Sequence, residues 1–172
     1  MITLHLLLSL GFVYALLSFV EYVGHRWVLH KMRLARYLGS RLLKEMCHNH
    51  MVLHHGREYR HREKRRDDQP AQLAAVGLVV GVLAALIVYP IDPLTVKILA
   101  VSAVVYAPLA WEVHNEMHRA RGRFYSKWRL FLYLEEKQRQ HHLHPDTNFN
   151  VLLPLWDWVF SRTGRLRWLL AW

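Results

Sequence analysis

Three long apolar stretches, separated and followed by polar segments, set the pattern of this chain. They cover residues 2–23, 71–89 and 94–111. Each stretch provides about the 20 apolar residues that an α-helix needs to cross the hydrocarbon core of a bilayer. The first stretch lacks the basic leader and small-residue cleavage site of a secretory signal, so we expect it to be retained. The pattern predicts an all-α integral membrane protein with about three transmembrane helices.

The connections between these stretches differ in length and character. Only Pro90–Pro93 joins the second stretch to the third, and its turn-forming residues predict an antiparallel helical hairpin. In the long polar segment 24–70, apolar residues recur at helical spacing between charges, which is typical of helices lying along a membrane surface. Together with segment 112–172 it is expected to form a helical cap. The 172 residues are interpreted as one multi-pass domain, 1–172.

The composition combines two features that conflict in an ordinary soluble domain. Hydrophobic residues make up 53% of the chain, yet its formal net charge is +10. A nucleic-acid partner would explain the charge but not the apolar stretches, so we expect none. A membrane protein with basic loops explains both features.

The basic residues predict the orientation of the chain in the membrane. Of the 23 lysines and arginines, 12 lie in residues 25–70 and 10 follow Trp111, leaving only Lys97 elsewhere. Basic segments next to membrane helices tend to stay on the cytoplasmic side. Three crossings place both segments on that same side. The prediction is a cap, 24–70 and 112–172, on the cytoplasmic face.

Histidines provide the candidate chemistry, because all of the 13 except His5 lie in the two cap segments. On a helix, His50 and His54 stand one turn apart, as do His114 and His118. Neutral imidazole is the commonest protein ligand for zinc, iron, copper and nickel. His48 and His61 fall outside these clusters and are interpreted as surface or supporting residues. The candidate metal ligands are His25, His30, His50, His54, His55, His114, His118, His141, His142 and His144.

The number of imidazoles bears on the kind of metal site. Cys47 is the only cysteine, which excludes cysteine-rich zinc and iron–sulfur sites. A catalytic zinc ion needs about three protein ligands, so nine or ten histidines suit two neighbouring ions, each with an open position. Such a pair can bind dioxygen or share a water molecule. The prediction is a site for two metal ions whose ligand atoms are almost all imidazole nitrogens.

The histidine spacing resembles that of the fatty acid hydroxylase superfamily, the membrane histidine-box oxygenases that include sterol desaturases and lipid and carotene hydroxylases. The matching boxes and closing motif are His25-x4-His30, His50-x3-His54-His55, His114-x3-His118, His141-His142, Asn148-Phe149 and Pro154-Leu155-Trp156-Asp157. The resemblance spans about residues 20 to 165. The chain departs from the family pattern at Gln138, because the fourth box normally begins with a histidine at that position. Asn150 and Ser161-Arg162 replace a glycine and a glycine–threonine pair.

The resemblance implies a non-haem di-iron oxidoreductase that uses O2 and two electrons to oxidise a C–H bond of a membrane lipid. A fatty acyl, sphingolipid or sterol-like substrate would be hydroxylated or desaturated. The metal ligands would carry the catalysis, with zinc able to replace iron on purification. An external donor, a ferredoxin or cytochrome b5-like protein, would supply the electrons. Carboxylates that could orient the ligands are Glu21, Glu112, Glu116 and Asp157.

Other functions remain open at this stage. A carotenoid hydroxylase is one alternative, and a non-catalytic relative that binds a structural metal is another. A metal transporter would be expected to place its histidines near the bilayer midplane rather than in the polar segments. A membrane cytochrome would need histidine pairs facing each other inside the bilayer.

Overall fold

The fold was analysed in a computed structural model that describes residues 2–56 and 92–162, together with Tyr59 and a few positions between 82 and 90. Within these residues all regular structure is helical. The predicted second membrane helix, 71–89, lies outside the described residues apart from those few positions. It therefore stays a prediction.

The first and third apolar stretches form the two longest helices, as predicted. Helix α1 covers Ile2–Val23. Two helical segments, Thr3–Leu29 and Pro93–Arg119, are long and apolar enough to cross a membrane. Leucine and valine side chains on their outer faces are exposed, as expected of surfaces that meet lipid.

Two short helices follow α1 in the first polar segment. A π-helical turn, Gly24–Leu29, extends α1 directly. Helix α2, Met32–Tyr37, and helix α3, Arg41–His48, then form a hairpin. A second π-helical turn, Asn49–His54, extends α3. The two π-helical turns carry the first two histidine boxes.

The π-helical turns bring together histidines that an α-helix would hold apart. His30 N donates to His25 O at 3.1 Å, and His55 N donates to His50 O at 3.0 Å, so both pairs are five residues apart in the chain. Five residues of α-helix turn through about 500°, which leaves their side chains about 140° apart. The wider turn with i→i+5 hydrogen bonds reduces that angle. Each pair therefore faces the same site.

Helix α4, Pro93–Arg119, is longer than the apolar stretch predicts. The sequence pattern ended the membrane helix at Trp111 and placed His114 and His118 in a separate cap segment. In the structure one continuous helix carries them. The helix ends at Ala120, whose φ of 44° lies in the left-handed region. Apolar length predicts the membrane-crossing part of a helix, whereas its end depends on the hydrogen bonds of the residues that follow.

A buried carboxylate holds the turn after α4. Glu116 is 2% exposed. Its oxygens accept hydrogen bonds from the backbone N–H groups of Arg121 at 3.0 Å, Gly122 at 2.8 Å and Arg123 at 3.0 Å. These three hydrogen bonds offset much of the free-energy cost of burying the charged carboxylate. Glu116 therefore stabilises the turn rather than contacting a histidine.

The C-terminal part of the described chain closes over the histidines. A 3₁₀ turn, Phe124–Lys127, leads into helix α5, Arg129–Leu143, which carries the last histidine box. After a loop, helix α6, Leu155–Arg162, packs against α1. One buried apolar cluster joins α4 to α5 and consists of Val113, Met117, Phe131 and Leu134. A second joins the first π-helical turn to α3 and consists of Val28, Leu29 and Met46.

Helices α1 and α4 run parallel to each other. At their N-terminal ends, His5 Nε2 lies 2.9 Å from Asp92 Oδ2, and Thr95 Oγ1 donates to Ser9 Oγ at 2.8 Å. At the opposite ends both helices lead into the histidine cluster. The cluster therefore lies at one end of the helix pair, and His5 lies at the other.

Candidate metal centre

Five histidines from three parts of the chain form a first group, with their ring nitrogens within 4.8 Å of one another. Its members are His25, His30, His50, His55 and His141. His50 is central, since its Nε2 atom lies 3.0 Å from Nε2 of His25, 3.0 Å from Nε2 of His30 and 3.2 Å from Nε2 of His55. Nε2 of His141 lies 3.1 Å from Nε2 of His30. This group joins both π-helical turns to α5.

A second group lies beside the first. It consists of His54, His114 and His118. Nε2 of His118 lies 3.2 Å from Nε2 of His114, and Nε2 of His142 lies 3.1 Å from Nε2 of His54. The side-chain nitrogen of Gln138 is 3.2 Å from Nε2 of His114. The second group thus joins the second π-helical turn to α4, and His142 and Gln138 of α5 lie beside it.

Ring contacts place the two groups next to each other. The rings of His50 and His54, one from each group, stack with centroids 5.1 Å apart. The rings of His55 and His142 stack with centroids 4.4 Å apart. The two groups of imidazoles therefore lie side by side.

Backbone carbonyl groups fix the orientation of three ligand candidates. Nδ1 of His25 is 2.5 Å from the carbonyl oxygen of Phe149, Nδ1 of His118 is 2.6 Å from that of Tyr59, and Nδ1 of His141 is 2.6 Å from that of Thr147. A carbonyl oxygen can only accept, so Nδ1 carries the proton. The lone pair is then on Nε2, which faces the cluster. Metal-binding histidines are commonly oriented in this way.

The spacing of the Nε2 atoms fits metal coordination better than hydrogen bonding. A protonated ring nitrogen has only one hydrogen, so it cannot donate hydrogen bonds to three neighbouring ring nitrogens at once. Metal–nitrogen bonds of about 2.1 Å at right angles put neighbouring nitrogens about 3.0 Å apart. The observed separations of 3.0–3.2 Å are close to that value. The donor set therefore fits a transition-metal ion, for which imidazole is a preferred ligand.

Burial keeps these imidazoles neutral. It lowers the pKa of His30 to about 2, that of His55 to about 3 and that of His141 to about 4, from an ordinary value of 6.5. Neighbouring imidazoles lower the first two pKa values further, since two positive rings would repel each other. The hydrogen bond from His141 to Thr147 acts in the opposite direction. Neutral rings are the form that binds metal.

The metal-free protein is expected to lose stability as the pH falls below about 6.5. Below this pH the histidines of the unfolded chain become protonated, whereas the buried histidines of the folded protein stay neutral. The free energy of unfolding therefore falls by about 1.4 kcal/mol per pH unit for each such histidine. Above the unfolded pKa this contribution is fully present. Thermal unfolding in detergent from about pH 8 to about pH 5 measures it. A midpoint that did not change over this range would contradict neutral, buried histidines.

The structure does not bring every predicted ligand to the cluster. His144 is exposed at the end of α5, because the chain leaves the helix there and its backbone carbonyl accepts from Thr147 N. We therefore leave His144 out of the candidate ligands. His48 is exposed, as expected, and His5 lies at the far end of α1. His61 falls outside the described residues.

Two of the four predicted supporting carboxylates hold the loop after α5. Glu21 accepts from the side chain of Asn150 at 3.0 Å. Asp157 accepts from the backbone N–H groups of Phe149 at 2.8 Å and Asn150 at 2.7 Å. Phe149 in turn offers its carbonyl to His25. These carboxylates reach the histidines only through the loop.

The other two carboxylates have local roles. Glu116 holds the turn after α4, and Glu112 forms an ion pair with Arg123 at 2.7 Å. The carbonyl groups of Tyr59, Thr147 and Phe149 were not predicted. Every residue has a carbonyl, so side-chain patterns carry no signal for them.

Helices of membrane-crossing length with a dense histidine cluster at one end define a class, that of helical proteins with a candidate metal site beside apolar helices. Comparison with protein families narrows the class, because the chain matches the model described as fatty acid hydroxylase over residues 10–162. The chain belongs to the fatty acid hydroxylase family, whose members are generally oxidoreductases of the lipid hydroxylase type. No curated protein and no solved structure matches the chain at a significant level.

Proposed function

We propose that this protein is a membrane-bound, O2-dependent di-iron oxidoreductase that hydroxylates, or desaturates, a C–H bond of a membrane lipid. The observation that carries the proposal is the pair of adjacent imidazole groups in a chain of this family. The first ion would be held by His25, His30, His50, His55 and His141. The second would be held by His54, His114, His118 and His142. Bound iron would supply the activation of dioxygen.

The protein's own residues position and shield this centre. Carbonyl groups of the loop after α5 and of Tyr59 hold the rings with Nε2 inward. The two buried apolar clusters include the residues that precede His114, His118 and His30 in the chain, and they would limit access of water to these rings. The exposed apolar faces of α1 and α4 offer a surface for fatty acyl, sphingolipid or sterol-like substrates. A substrate bound along these helices would present its chain to the cluster at their end.

The parallel arrangement of α1 and α4 supports a third crossing. Tyr59 lies at the cluster end, where its carbonyl contacts His118, whereas Asp92 lies at the opposite end, beside His5. Helix α1, with 22 residues, is about 33 Å long at 1.5 Å per residue. Residues 60–91 must connect these two ends, and the apolar stretch 71–89 has about the length that a helix needs to cross the hydrocarbon core of a bilayer. We propose a multi-pass protein with the histidine cluster on the cytoplasmic side, where the positive-inside rule puts the basic segments.

An external protein would supply the two electrons. The α2–α3 hairpin adjoins the first π-helical turn and exposes Arg33, Arg36, Arg41 and Lys44. A positive surface favours encounter with an acidic donor such as a ferredoxin or a cytochrome b5-like protein. The proposed partners are therefore the lipid substrate, the membrane and this donor.

Lipid profiling tests the function. The protein is produced in a lipid-rich host, and total lipids are compared for the wild type and the His54→Ala/His118→Ala double variant. A lipid that gains one oxygen or loses two hydrogens only with the wild type is the expected result. The matched control is His48→Ala/His144→Ala, which also removes two imidazoles but should retain activity. A product of the same amount from the His54→Ala/His118→Ala variant would overturn the proposed centre.

A further inference from the structure

Gln138 lies in α5 with its side chain directed into the second histidine group. The residue is 1% exposed, and one amide atom lies 3.2 Å from Nε2 of His114. It precedes His141 and His142 by three and four residues, so all three lie on the same face of the helix. The other atom of the amide, Oε1, is buried without a hydrogen-bond partner among the described residues. A buried amide with an unsatisfied atom beside a metal-ligand cluster needs an explanation.

The orientation of the amide depends on whether a metal is bound. When Nε2 of His114 keeps its lone pair, the amide N–H of Gln138 can donate to it. When that lone pair binds a cation, it can no longer accept a hydrogen bond. The amide N–H of Gln138 would then point at a positive charge, which is unfavourable. Rotating the amide by half a turn puts the carbonyl oxygen there, and the two amide atoms are nearly equal in size and shape. Carbonyl oxygen then becomes a donor to the cation.

Distances support the same conclusion. The amide atom of Gln138 and Nε2 of His118 are both 3.2 Å from Nε2 of His114. The amide therefore occupies a place around the second group that is equivalent to that of a ligand nitrogen. Separations of about 3 Å are those between neighbouring ligand atoms of one ion.

We infer that the side-chain oxygen of Gln138 is a ligand of the metal bound by the second group, so that the two metal sites differ in affinity. This inference rests on the proposed function only in requiring that the two groups bind metal. The first group offers five imidazoles, whereas the second combines imidazoles with a neutral amide oxygen, a weaker donor for transition metals. The first group would therefore hold its ion more tightly than the second group.

Titration with Co²⁺ tests the inference, because visible absorption reports both the number of bound ions and the nature of their ligands. The metal-free wild type in detergent should bind Co²⁺ in two resolved steps, the second weaker by at least about 10-fold. His54→Ala assigns the steps, since it removes a ligand of the second group alone. Gln138→His should tighten the second step by at least about 10-fold, and Gln138→Leu should weaken it by a similar factor. The first step should stay unchanged in both variants.

A matched control is available on the same helix. Gln140 is also a glutamine of α5, but its amide donates to Glu136 at 2.9 Å instead of contacting a histidine. Gln140→Leu should leave both steps and the Co²⁺ spectrum unchanged.

The outcomes separate this inference from the proposed function. An unchanged second step in Gln138→Leu, or equal weakening of both steps, would overturn the ligand role and leave a packing role. Two-step binding that responds to Gln138 but without any lipid product would support the inference and overturn the oxidoreductase function. A wild type that binds no Co²⁺ would overturn both.

Discussion

Replacing His50 with alanine is expected to empty the first metal site and to abolish lipid oxidation. Its Nε2 atom lies within 3.2 Å of three other ring nitrogens of the first group, those of His25, His30 and His55. The ring also stacks on that of His54, which belongs to the second group. Removing a residue that only orients a metal ligand lowers metal affinity by about 10- to 100-fold. Removing a ligand itself should lower it further. Both metal content and activity should therefore fall.

Elemental analysis and lipid profiling of the same preparation measure the two effects together. His144→Ala is the matched control, because it removes an exposed imidazole that lies outside both groups. It should keep the wild-type metal content and product yield. Loss of metal in His144→Ala would restore that histidine to the ligand set. Full metal content in His50→Ala would show that the group binds no ion through this residue.

Replacing Glu21 with alanine is expected to destabilise the protein by about 3 kcal/mol and to weaken the first metal site. Its carboxylate accepts from the Asn150 side chain at 3.0 Å, from Leu152 N at 3.2 Å and from Leu153 N at 3.3 Å. Alanine leaves these donors without an acceptor, each at a cost of about 1–3 kcal/mol if it stays buried. The same loop provides the Phe149 carbonyl that orients His25. Metal affinity at the first group should fall by about 10- to 100-fold.

Thermal unfolding and Co²⁺ titration in detergent measure these two effects. Glu21→Gln retains one acceptor oxygen and should fall between the wild type and Glu21→Ala. Glu112→Ala, which loses a partly exposed ion pair with Arg123, is the control and should change stability by no more than about 1 kcal/mol. If Glu21→Ala unfolded at the wild-type temperature, the loop would not depend on this carboxylate.

Much of the fold could be predicted from the sequence because it depends on local pattern. The apolar stretches at 2–23 and 94–111 have the length of membrane helices, and the structure has helices there. The histidine spacing placed the chain in a family that the comparison confirms over residues 10–162. Among the residues that the structure describes, the two groups consist of eight of the ten predicted ligands, and His142 lies beside the second group. Residue type and spacing are visible in any sequence, so these conclusions needed no coordinates.

Assignment of each histidine to a site was decided by the tertiary structure. His54 and His55 are neighbours in the chain, yet they belong to different groups, because adjacent residues of a helical turn point in different directions. The partners of His25 include His50, in the second π-helical turn, and Phe149, from the loop after α5. Only the packing of these elements brings such residues together.

The sequence by itself determined a helical chain with stretches long and apolar enough to cross a membrane and with enough imidazole for two metal ions. Tertiary structure decided where the ions can bind and what holds the ligands. The π-helical turns align His25 with His30 and His50 with His55, although spacing in an α-helix would separate them. Loop carbonyls fix the ring orientation, and the packing of α5 points Gln138 at His114. Spacing limits which residues can share a helix face, whereas contacts between distant segments follow from the free energy of packing the whole chain.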